Sequence, residues 1–358
     1  MPADYSRNPV LVFWETTKAC ELACVHCRAS AMTRPPPGEL DTKEAKGLIE
    51  DLARFDRPPV LVLSGGDPLM REDLQELVDH AHGLGIPLAM SPAVSESVIT
   101  KMAAFKGKIR SISISLDGGK NAHDFIRGTG SFERTTRAIQ QLALSFDLQV
   151  NTTVMKLTVG ELPEALHQVK KLGVKTWEVF FLIRVGRATA LEDLSPNEME
   201  DVLNYLYWAS SYGIRVRTVE APFFRRIIRE RSGGPDYSPM SPLYPALLQR
   251  TKELLGEPKE RPLAEMGTTR DGSGVIFVSN EGDVFPSGFT PYPLGNVRRE
   301  SLVKIYRENP TLKRIRDASF SGKCGVCPYR QECGGSRARA FATYGDPLAS
   351  DPACVYVP

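Results

Sequence analysis

Between residues 10 and 220, segments with two different spacings of apolar and polar residues alternate along the chain. Short apolar runs, typical of strands buried on both faces, alternate with amphipathic stretches of helical period. The predicted strands are Val10–Glu15, Val60–Ser64, Pro87–Met90, Ile109–Leu116, Leu148–Val154 and Thr176–Ile183. The predicted helices include Thr42–Phe55, Arg71–Leu84, Phe132–Leu144 and Leu162–Leu172. This order predicts an α/β fold with a parallel sheet, either open and doubly wound or curved into a partial or complete barrel.

The regular alternation ends near residue 220. Residues 221–269 are rich in Pro and Arg, with Ser-Gly-Gly-Pro at Ser232–Pro235, and predict a short helix and a connecting segment. A lid over the site is one interpretation of that segment. Gly274–Ser279 and Asp283–Phe285 predict a β-hairpin, and Ser301–Asp317 is predicted to be helical. The predicted domains are a core over 1–220, a connecting segment over 221–266 and a C-terminal domain over 267–358.

The net charge and the hydropathy of the chain indicate whether it binds nucleic acids or membranes. The 358-residue chain has a formal net charge of +2, so its charge favours neither a nucleic acid nor an acidic membrane surface. No apolar run is long enough to predict a transmembrane helix. The first ten residues lack the apolar centre of a secretory signal. These features predict a cytoplasmic protein that binds neither nucleic acids nor membranes.

The seven cysteines lie in two groups near the two ends of the chain. One group falls within Cys20–Cys27 and the other within Cys324–Cys354, with none between them. Clustering of this kind in a cytoplasmic chain favours metal ligation over disulfides. An odd total would also leave one thiol over in a scheme made only of disulfides. The cysteines therefore predict metal centres.

The first group has the spacing Cys-x3-Cys-x2-Cys directly after the first predicted strand. Three thiolates can ligate three irons of a cubane and leave the fourth iron open for a small molecule. A structural zinc site is the alternative, and it would need a fourth protein ligand. His26 is the candidate for that ligand, but its position between two cysteine ligands gives poor geometry. The spacing therefore favours an open [4Fe–4S] cluster.

The segment Cys20-Glu-Leu-Ala-Cys24-Val-His-Cys27 resembles the cysteine motif of the radical S-adenosylmethionine (radical SAM) superfamily. The resemblance implies a partial (β/α)6 TIM-like barrel whose open iron chelates SAM. It also implies reductive cleavage of SAM to a 5′-deoxyadenosyl radical, which abstracts hydrogen from a substrate. His26 would then lie near the adenine, and a flavodoxin or ferredoxin would supply the electron.

Polar residues recur at the carboxyl ends of the predicted strands, where ligands bind in either sheet architecture. Ser64-Gly-Gly-Asp-Pro68 follows the second strand and resembles the superfamily motif that binds the amino group of SAM. A β-to-α turn with Asp67 as a helix cap is the alternative. The SAM contacts expected from this motif and from later strand ends are Gly65, Gly66, Asp67, Pro68, Ser91, Ser115, Asn151, Thr153 and Arg184. For the strand-end residues, facing solvent or capping a helix is the alternative.

The second group comprises Cys324, Cys327, Cys333 and Cys354, which is one full ligand set. Spacing alone also allows a four-cysteine zinc ribbon. The tail around these cysteines resembles the SPASM/Twitch domains of radical SAM enzymes. The resemblance implies a second, fully ligated [4Fe–4S] cluster, which suits electron transfer because it has no open iron. Ser287 stands where many SPASM proteins carry a cysteine, so seven cysteines predict two clusters in all.

Several segments resemble the heme b synthase subgroup of the alternative heme pathway, among them Val150-Asn-Thr-Thr-Val154 and Gly334-Gly-Ser-Arg-Ala-Arg-Ala340. That resemblance implies oxidative decarboxylation of the propionates of an iron porphyrin. The carboxylates of such a substrate need cationic partners. The candidate arginines are Arg184, Arg187, Arg225, Arg226, Arg229 and Arg231, with a solvated helix face as the alternative for the last four.

Two other classes of function remain open at this point. A maturase of a ribosomally made peptide would share the radical chemistry but take a peptide substrate. A non-enzymatic iron–sulfur or zinc scaffold would bind no SAM and would leave the Gly-Gly-Asp-Pro turn unexplained. The favoured prediction is therefore a radical SAM enzyme, with an iron porphyrin as the leading substrate and a peptide or another small molecule as the alternatives.

Overall fold

A parallel sheet forms the centre of the molecule, whose computed structural model describes residues 4–233 and 236–358. Its neighbouring strands follow the order of the chain from the first to the seventh. These strands are β1 (Leu11–Thr17), β2 (Val60–Gly65), β3 (Leu88–Met90), β4 (Ser111–Ser115), β5 (Asp147–Val154), β6 (Thr176–Phe181) and β7 (Arg215–Val219). The six predicted strands are confirmed.

Strand β7 was not expected from the sequence. Arg215 and Arg217 interrupt its apolar pattern, so no continuous run announces it. The strand pairs in parallel with β6, and Arg217 lies opposite Glu178 in the register. Several strands have polar residues on their inward face. These residues interrupt the apolar run from which a buried strand is predicted.

The sequence of β4 shows why the inside of the sheet is polar. Ile112 and Ile114 are buried, whereas Ser111, Ser113 and Ser115 are half-buried. Because successive side chains of a strand point to opposite faces, the isoleucines pack in the core and the serines share the other face. The serine face therefore carries polar groups towards the strand ends.

Helices follow the strands on the outside of the sheet. Two of them begin with capping boxes, formed by Asp41 with Glu44 and by Ser195 with Glu198. The helices up to residue 255 are α1 (Thr42–Ala53), α2 (Leu74–Gly83), α3 (Val98–Ala103), α4 (Lys120–Arg127), α5 (Ser131–Leu142), α6 (Leu162–Lys171), α7 (Pro196–Ala209), α8 (Phe224–Arg231) and α9 (Leu243–Leu255).

The connecting segment packs on the outer helices and beside β7. Helix α9 contacts α6 and α7. The buried carboxylate of Asp201 on α7 accepts hydrogen bonds from Tyr237 Oη at 2.6 Å and from Met240 N at 2.9 Å. Ala264 forms a bridge with Val216 of β7. Of the predicted Ser-Gly-Gly-Pro piece, residues 234 and 235 lie outside the described residues, and a lid formed by the segment stays a prediction.

The C-terminal domain continues the barrel sheet. The predicted hairpin is confirmed, because Val284 pairs with Val278 in antiparallel register. Its first strand also pairs in parallel with β1, with Ile276 opposite Val12. The elements of this domain are β8 (Arg270–Asp271), β9 (Gly274–Val278), β10 (Asp283–Phe285), β11 (Gly295–Asn296), α10 (Leu302–Glu308), α11 (Pro310–Arg316), α12 (Gly322–Val326) and α13 (Arg337–Tyr344).

The helix predicted over Ser301–Asp317 is two helices, so that prediction was wrong in its continuity. Helix α10 ends at Glu308, and Pro310 opens α11. The side chain of Asn309 accepts hydrogen bonds from the backbone N–H groups of Thr311 and Leu312. A residue before proline avoids helical geometry, and an asparagine cap followed by proline starts a new helix.

One buried carboxylate joins α1 to the C-terminal domain. Asp51 is 7% exposed, and its Oδ2 accepts a hydrogen bond of 2.7 Å from Leu302 N at the start of α10. The carboxylate satisfies one of the N–H groups that the first turn of a helix leaves unpaired.

No helix in the described part of the chain is both long and apolar enough to cross a membrane.

We expect Asp51→Ala to lower the free energy of unfolding by about 1–3 kcal/mol, since a buried hydrogen bond from α10 to a charged group is lost. The neighbouring Glu50→Ala is the control, because Glu50 is half exposed and lies 3.3 Å from His80 Nε2. Its expected cost is about 0–1 kcal/mol. Denaturant unfolding measures both, and equal losses would contradict the role given to Asp51.

Candidate active site at the strand ends

The first three cysteines lie in the loop after β1, which the neighbouring backbone holds in place. Cys20 N donates to Met32 O at 2.7 Å, and Met32 N donates to Lys18 O at 2.8 Å. Cys20 and Cys24 are buried and Cys27 is half-buried. The loop therefore brings all three predicted cysteines to the carboxyl end of β1.

Each sulfur of this loop has a nearby N–H donor. Leu22 N lies 3.3 Å from Cys20 Sγ, and Ala31 N lies 3.5 Å from Cys27 Sγ. Arg127 Nη1 lies 3.9 Å from Cys24 Sγ. Hydrogen bonds to the cysteine sulfurs are among the factors that set the potential of iron–sulfur clusters. This donor pattern fits three thiolate ligands.

No three His, Cys, Asp or Glu side chains of the described residues converge closely enough to hold a single metal ion. The thiolates of a cubane bond to different irons, so a [4Fe–4S] site does not require such convergence. All seven cysteines are free thiols in the structure.

Arg187, expected as a cationic partner of the substrate, instead holds the cysteine loop. Its Nε donates to Cys24 O at 2.9 Å, and its Nη1 donates to Ala31 O at 2.9 Å. Gly186 beside it has φ +58°, and a Cβ there would lie 2.3 Å from Arg28 O. The close approach requires glycine. Arg187 therefore has a structural role in the loop, while its buried Nη2 has no hydrogen-bond partner among the described residues, and the substrate role stays a prediction.

The Gly-Gly-Asp-Pro turn lies directly against the backbone that precedes Cys20. Gly66 N donates to Thr17 O at 2.8 Å, and Asp67 N donates to Ala19 O at 2.7 Å. A Cβ on Gly66 would lie only 2.3 Å from Ala19 O. Pro68 begins the 3₁₀ helix Pro68–Met70, which the Asp67 side chain caps. The turn thus positions the cysteine loop as well as forming a strand-to-helix connection.

Asp67 has one carboxylate oxygen with no hydrogen bond. Its Oδ1 accepts from Leu69 N at 3.1 Å and from Ala93 N at 3.3 Å, whereas the buried Oδ2 has no partner among the described residues. Burial raises the pKa of Asp67 to about 6. An ammonium group bound at Oδ2 would satisfy this oxygen and favour the ionised carboxylate. The site therefore fits the amino group of SAM.

A buried ion pair lies beside the cysteine loop. Arg127 Nε on α4 donates to Asp117 Oδ2 at 2.6 Å, just after β4. His26 Nε2 lies 3.5 Å from Arg127 Nη2 and 3.8 Å from Asp117 Oδ2. Burial opposes the charge of Asp117, but Arg127 and then His26 and His123 hold its pKa at about 2. The pair therefore stays ionised and fixes Arg127 next to Cys24.

The two histidines near this pair are neutral near pH 7. Burial lowers the pKa of both His26 and His123 to about 4. His123 Nδ1 accepts a hydrogen bond from Asp117 N at 3.1 Å. Sequence reasoning placed His26 at the site but missed the network of Asp117, His123 and Arg127. Their spacing of six and four residues, across a strand end and the following helix, was the available signal.

The strand-end serines lie on the inward face of the sheet. Ser91 Oγ and Ser113 Oγ are 2.6 Å apart. Ser115 lines a small cleft beside the cysteine loop, together with Leu22, Pro92 and Arg127. Both predicted serines therefore face the region where SAM is expected, and their contacts with SAM stay a prediction.

The predicted residues of β5 and β6 divide into two groups. Asn151 Oδ1 accepts a hydrogen bond from Gln149 Nε2 at 3.0 Å, and Thr153 N donates to Asp117 Oδ1 at 2.9 Å. Arg184 is exposed and donates instead to Thr189 O at 2.9 Å. The structure thus places Asn151 opposite Ser115 in the register of β4 and β5 and Thr153 beside Asp117, and it leaves Arg184 in a local surface contact.

Two of the four arginines on α8 are buried in structural contacts and do not lie on a solvated helix face. Arg225 is buried and donates to the backbone carbonyls of Glu332 and Thr269. Arg226 is buried and pairs with Glu200 at 2.6 Å. Arg229, which is exposed, lies 3.4 Å from Glu332. The two buried arginines join α8 to its neighbours, so their expected role as substrate partners is corrected.

Of the four C-terminal cysteines, Cys324 lies in α12, Cys327 directly follows it, Cys333 precedes α13, and Cys354 follows α13. Cys324 and Cys333 are buried, and Cys327 and Cys354 are half-buried. Cys324 Sγ accepts from Asp351 N at 3.4 Å, and Cys333 Sγ accepts from Gly335 N at 3.4 Å. Backbone donors to sulfur again match a set of thiolate ligands.

Comparison with known proteins decides the family. A family model for the radical SAM superfamily matches residues 14–178, and a model for an iron–sulfur cluster-binding domain, SPASM, matches residues 270–328. AdoMet-dependent heme synthase of Methanosarcina barkeri is 34% identical over 363 residues, covering 99% of this chain and 98% of that protein. The chain belongs to the radical SAM superfamily. It therefore uses a [4Fe–4S] cluster and SAM, and its SPASM domain binds additional iron–sulfur.

A further relative and a solved structure each match nearly the whole chain. Mycofactocin maturase MftC of Mycobacterium tuberculosis is 31% identical, covering 97% of this chain and 83% of that protein. The structure of native anSMEcpe with bound AdoMet has a TM-score of 0.67 at 16% identity, covering 96% of this chain and 93% of that one. The structural likeness confirms the TIM-like partial barrel with a C-terminal SPASM domain.

We expect Gly66→Ala to displace the cysteine loop, because the added Cβ meets the backbone oxygens of Ala19 at 2.3 Å and Lys18 at 2.7 Å. After anaerobic reconstitution the variant should hold about four irons fewer than the parent, since each cubane contains four. Gly47→Ala is the control, because nothing lies within 4 Å of its Cβ in helix α1. An undiminished iron content in Gly66→Ala would refute the positioning role.

Removing Arg226 should destabilise the fold strongly. Arg226→Met leaves Glu200 buried without its partner, which we expect to cost about 3–5 kcal/mol of unfolding free energy. Arg229→Met is the matched control on the same helix, with an expected cost of about 0–1 kcal/mol because Arg229 is 62% exposed. A stable Arg226→Met protein with weakened substrate binding would restore the substrate role.

Proposed function

We propose that this radical SAM enzyme oxidatively decarboxylates the propionate side chains of an iron porphyrin to vinyl groups. The observation that carries the radical chemistry is the unpartnered, buried Oδ2 of Asp67 beside the loop of Cys20, Cys24 and Cys27. The porphyrin is supported by the similarity to AdoMet-dependent heme synthase, which extends over nearly the whole chain.

The residues of the cysteine loop and its surroundings fit the first cluster and SAM. Cys20, Cys24 and Cys27 ligate three irons, and Asp67 accepts a hydrogen bond from the amino group of SAM. Arg127, held by Asp117, offers its remaining donors to the carboxylate of SAM. Once bound, the cluster and SAM supply the 5′-deoxyadenosyl radical that removes a hydrogen atom from the substrate.

The polar inward face completes the proposed SAM site. Gly65 and Gly66 let the turn approach the loop, and Ser115, Asn151 and Thr153 lie on the face where the ribose is expected. Neutral His26 provides a ring near the adenine. In this proposal Ser91 and Pro68 shape the same end of the site, and Arg184 contributes no contact to it.

The second set of cysteines provides an electron acceptor. Cys324, Cys327, Cys333 and Cys354 hold a [4Fe–4S] cluster with no open iron, which suits electron transfer. A propionate becomes a vinyl group when it loses one hydrogen atom, carbon dioxide and one electron. The hydrogen atom would leave with the deoxyadenosyl group, and the cluster held by these four cysteines would serve as the acceptor of the electron. A flavodoxin or ferredoxin in the cytoplasm supplies the electron that cleaves SAM.

Peptide modification is the second candidate function. The similarity to mycofactocin maturase MftC supports it, at 31% identity over 97% of the chain. The proposed roles of the seven cysteines and of Asp67 would be the same for a peptide substrate. Only the residues that face the substrate distinguish the two candidates.

We expect the reconstituted enzyme to form 5′-deoxyadenosine from SAM and dithionite and to convert iron-coproporphyrin III into a product that has lost two carbon dioxide units. Mass spectrometry of the porphyrin and chromatography of the nucleoside measure the two products. Cys24→Ala is the negative control, because it removes one ligand of the first cluster. Formation of 5′-deoxyadenosine with an unchanged porphyrin would keep the radical chemistry and eliminate this substrate.

A further inference from the structure

We propose that Arg28 binds a carboxylate of the substrate and that the phenylalanines around it hold the flat ring of the same molecule. Arg28 is the residue directly after Cys27, so its backbone belongs to the cysteine loop. The inference rests on the proposed function, since it assigns the partner of an anionic, planar substrate at the same site. It concerns a residue to which the sequence assigned no role.

The Arg28 side chain points from the cysteine loop towards the C-terminal domain. Its Nη1 donates to Gly288 O at 3.3 Å in the loop after β10. The guanidinium carbon lies 4.7 Å from the centre of the Phe277 ring and 5.9 Å from that of Phe289. The side chain keeps 20% of its surface exposed. The cation therefore lies between the first cysteine loop and the SPASM domain, where it remains open to a ligand.

The guanidinium has donors to spare. It carries five N–H groups, and its hydrogen bond to Gly288 uses one of them. Glu15 Oε2 lies 3.1 Å from Arg28 Nη2 but has no hydrogen bond of good geometry among the described residues. A substrate carboxylate can therefore engage the planar fork in a bidentate way. Glu15, which is 3% exposed, balances the charge of Arg28 and competes with that carboxylate.

Aromatic side chains line the surroundings of this arginine. Phe277 stacks on Phe285, with ring centres 6.2 Å apart and an angle of 14° between the rings. Phe289 lies 6.3 Å from Phe180, which ends the inward face of β6. Phe180, Phe285 and Phe289 are only half-buried. Their accessible ring faces fit a planar apolar ligand, since aromatic surfaces favour stacked and tilted contacts.

Gly288 allows the loop to approach Arg28 this closely. A Cβ at this position would lie 3.0 Å from the Phe277 ring and 3.2 Å from Arg28 Cζ. A side chain at this position would therefore crowd both Phe277 and Arg28. The substrate site is therefore built jointly by the barrel and the SPASM domain.

Other arginines near the site already make contacts within the protein. Arg187 holds the backbone of the cysteine loop, and Arg127 pairs with Asp117. Arg225 and Arg226 are buried in contacts of α8. Among these arginines, Arg28 alone combines a partly exposed guanidinium, spare donors and an aromatic environment.

The test compares a carboxylate ligand with its uncharged ester. Iron-coproporphyrin III and its tetramethyl ester are titrated anaerobically, by absorbance, into the holoenzyme and its variants in the same detergent-containing buffer. Arg28→Met should bind the acid about tenfold more weakly and leave the affinity for the ester unchanged, as expected for the loss of one charge-assisted contact. Arg28→Lys keeps the charge but loses the planar fork, so its affinity for the acid should lie between that of the parent and that of Arg28→Met.

A second variant gives an effect of the opposite sign. Glu15→Gln removes the competing carboxylate, so the acid should bind several-fold more tightly while the ester is unaffected. A purely structural role of the Arg28–Glu15 pair would weaken both ligands in both variants. Arg110→Met, at the opposite end of β4 and 87% exposed, is the control for the loss of one positive charge.

Iron content is measured in every variant, because a lower iron content in Arg28→Met would mean that the cysteine loop is disturbed and would overturn the assignment of Arg28 to the substrate. If the parent enzyme binds the acid but Arg28→Met retains the same preference over the ester, the inference about Arg28 is overturned and the proposed function stands. If the parent binds neither porphyrin while it still cleaves SAM, the porphyrin function and the inference are both overturned.

Discussion

The close contact between the Gly-Gly-Asp-Pro turn and the backbone before Cys20 is the constraint on which the site depends. The cysteine loop is largely irregular, so its position is set by hydrogen bonds to neighbouring strand ends rather than by a helix or a strand. Gly66 N and Asp67 N donate to Thr17 O and Ala19 O on one side. Arg187 donates to the carbonyls of Cys24 and Ala31 on the other. The loop is thereby held on both sides by hydrogen bonds from the protein.

Buried polar contacts also join the barrel to the SPASM domain. Ser336, the cap of α13, donates to Glu220 at 2.5 Å through its hydroxyl and to Asp351 at 2.7 Å through its backbone N–H. Arg339 donates to Glu220 O at 2.8 Å. Burial, and then the nearby Asp271, raise the pKa of Glu220. Because these groups come from both domains, the second cysteine group keeps a fixed relation to the barrel.

Much of this arrangement could be predicted from the sequence because its signals are local. The cysteine spacing, the glycine turn and the apolar strands each occupy a few consecutive residues. Contacts between distant residues could not be predicted in the same way. Arg187 and Arg226 look like free cations in the sequence, and only the fold shows that one holds a loop and the other pairs with Glu200. Strand β7 was missed for a similar reason, since its arginines face Glu178 and Glu265 of other segments.

Both domains contribute to the proposed substrate site. The barrel contributes the cysteine loop and Arg28, and the SPASM domain contributes Gly288 and the rings of Phe277 and Phe289. A charged fork beside aromatic faces suits a planar carboxylate better than an extended peptide. The position of Arg28 next to Cys27 would also hold such a ligand close to the first cluster.

The central claim is that the seven cysteines hold two [4Fe–4S] clusters with separate roles, and iron counting combined with SAM cleavage tests it most directly. The anaerobically reconstituted parent should contain about eight irons per chain, and Cys324→Ala combined with Cys333→Ala should contain about four and still form 5′-deoxyadenosine. Cys20→Ala combined with Cys24→Ala should also contain about four irons but form none. A parent with about four irons and one bound zinc would contradict the account, because the C-terminal cysteines would then form a zinc site.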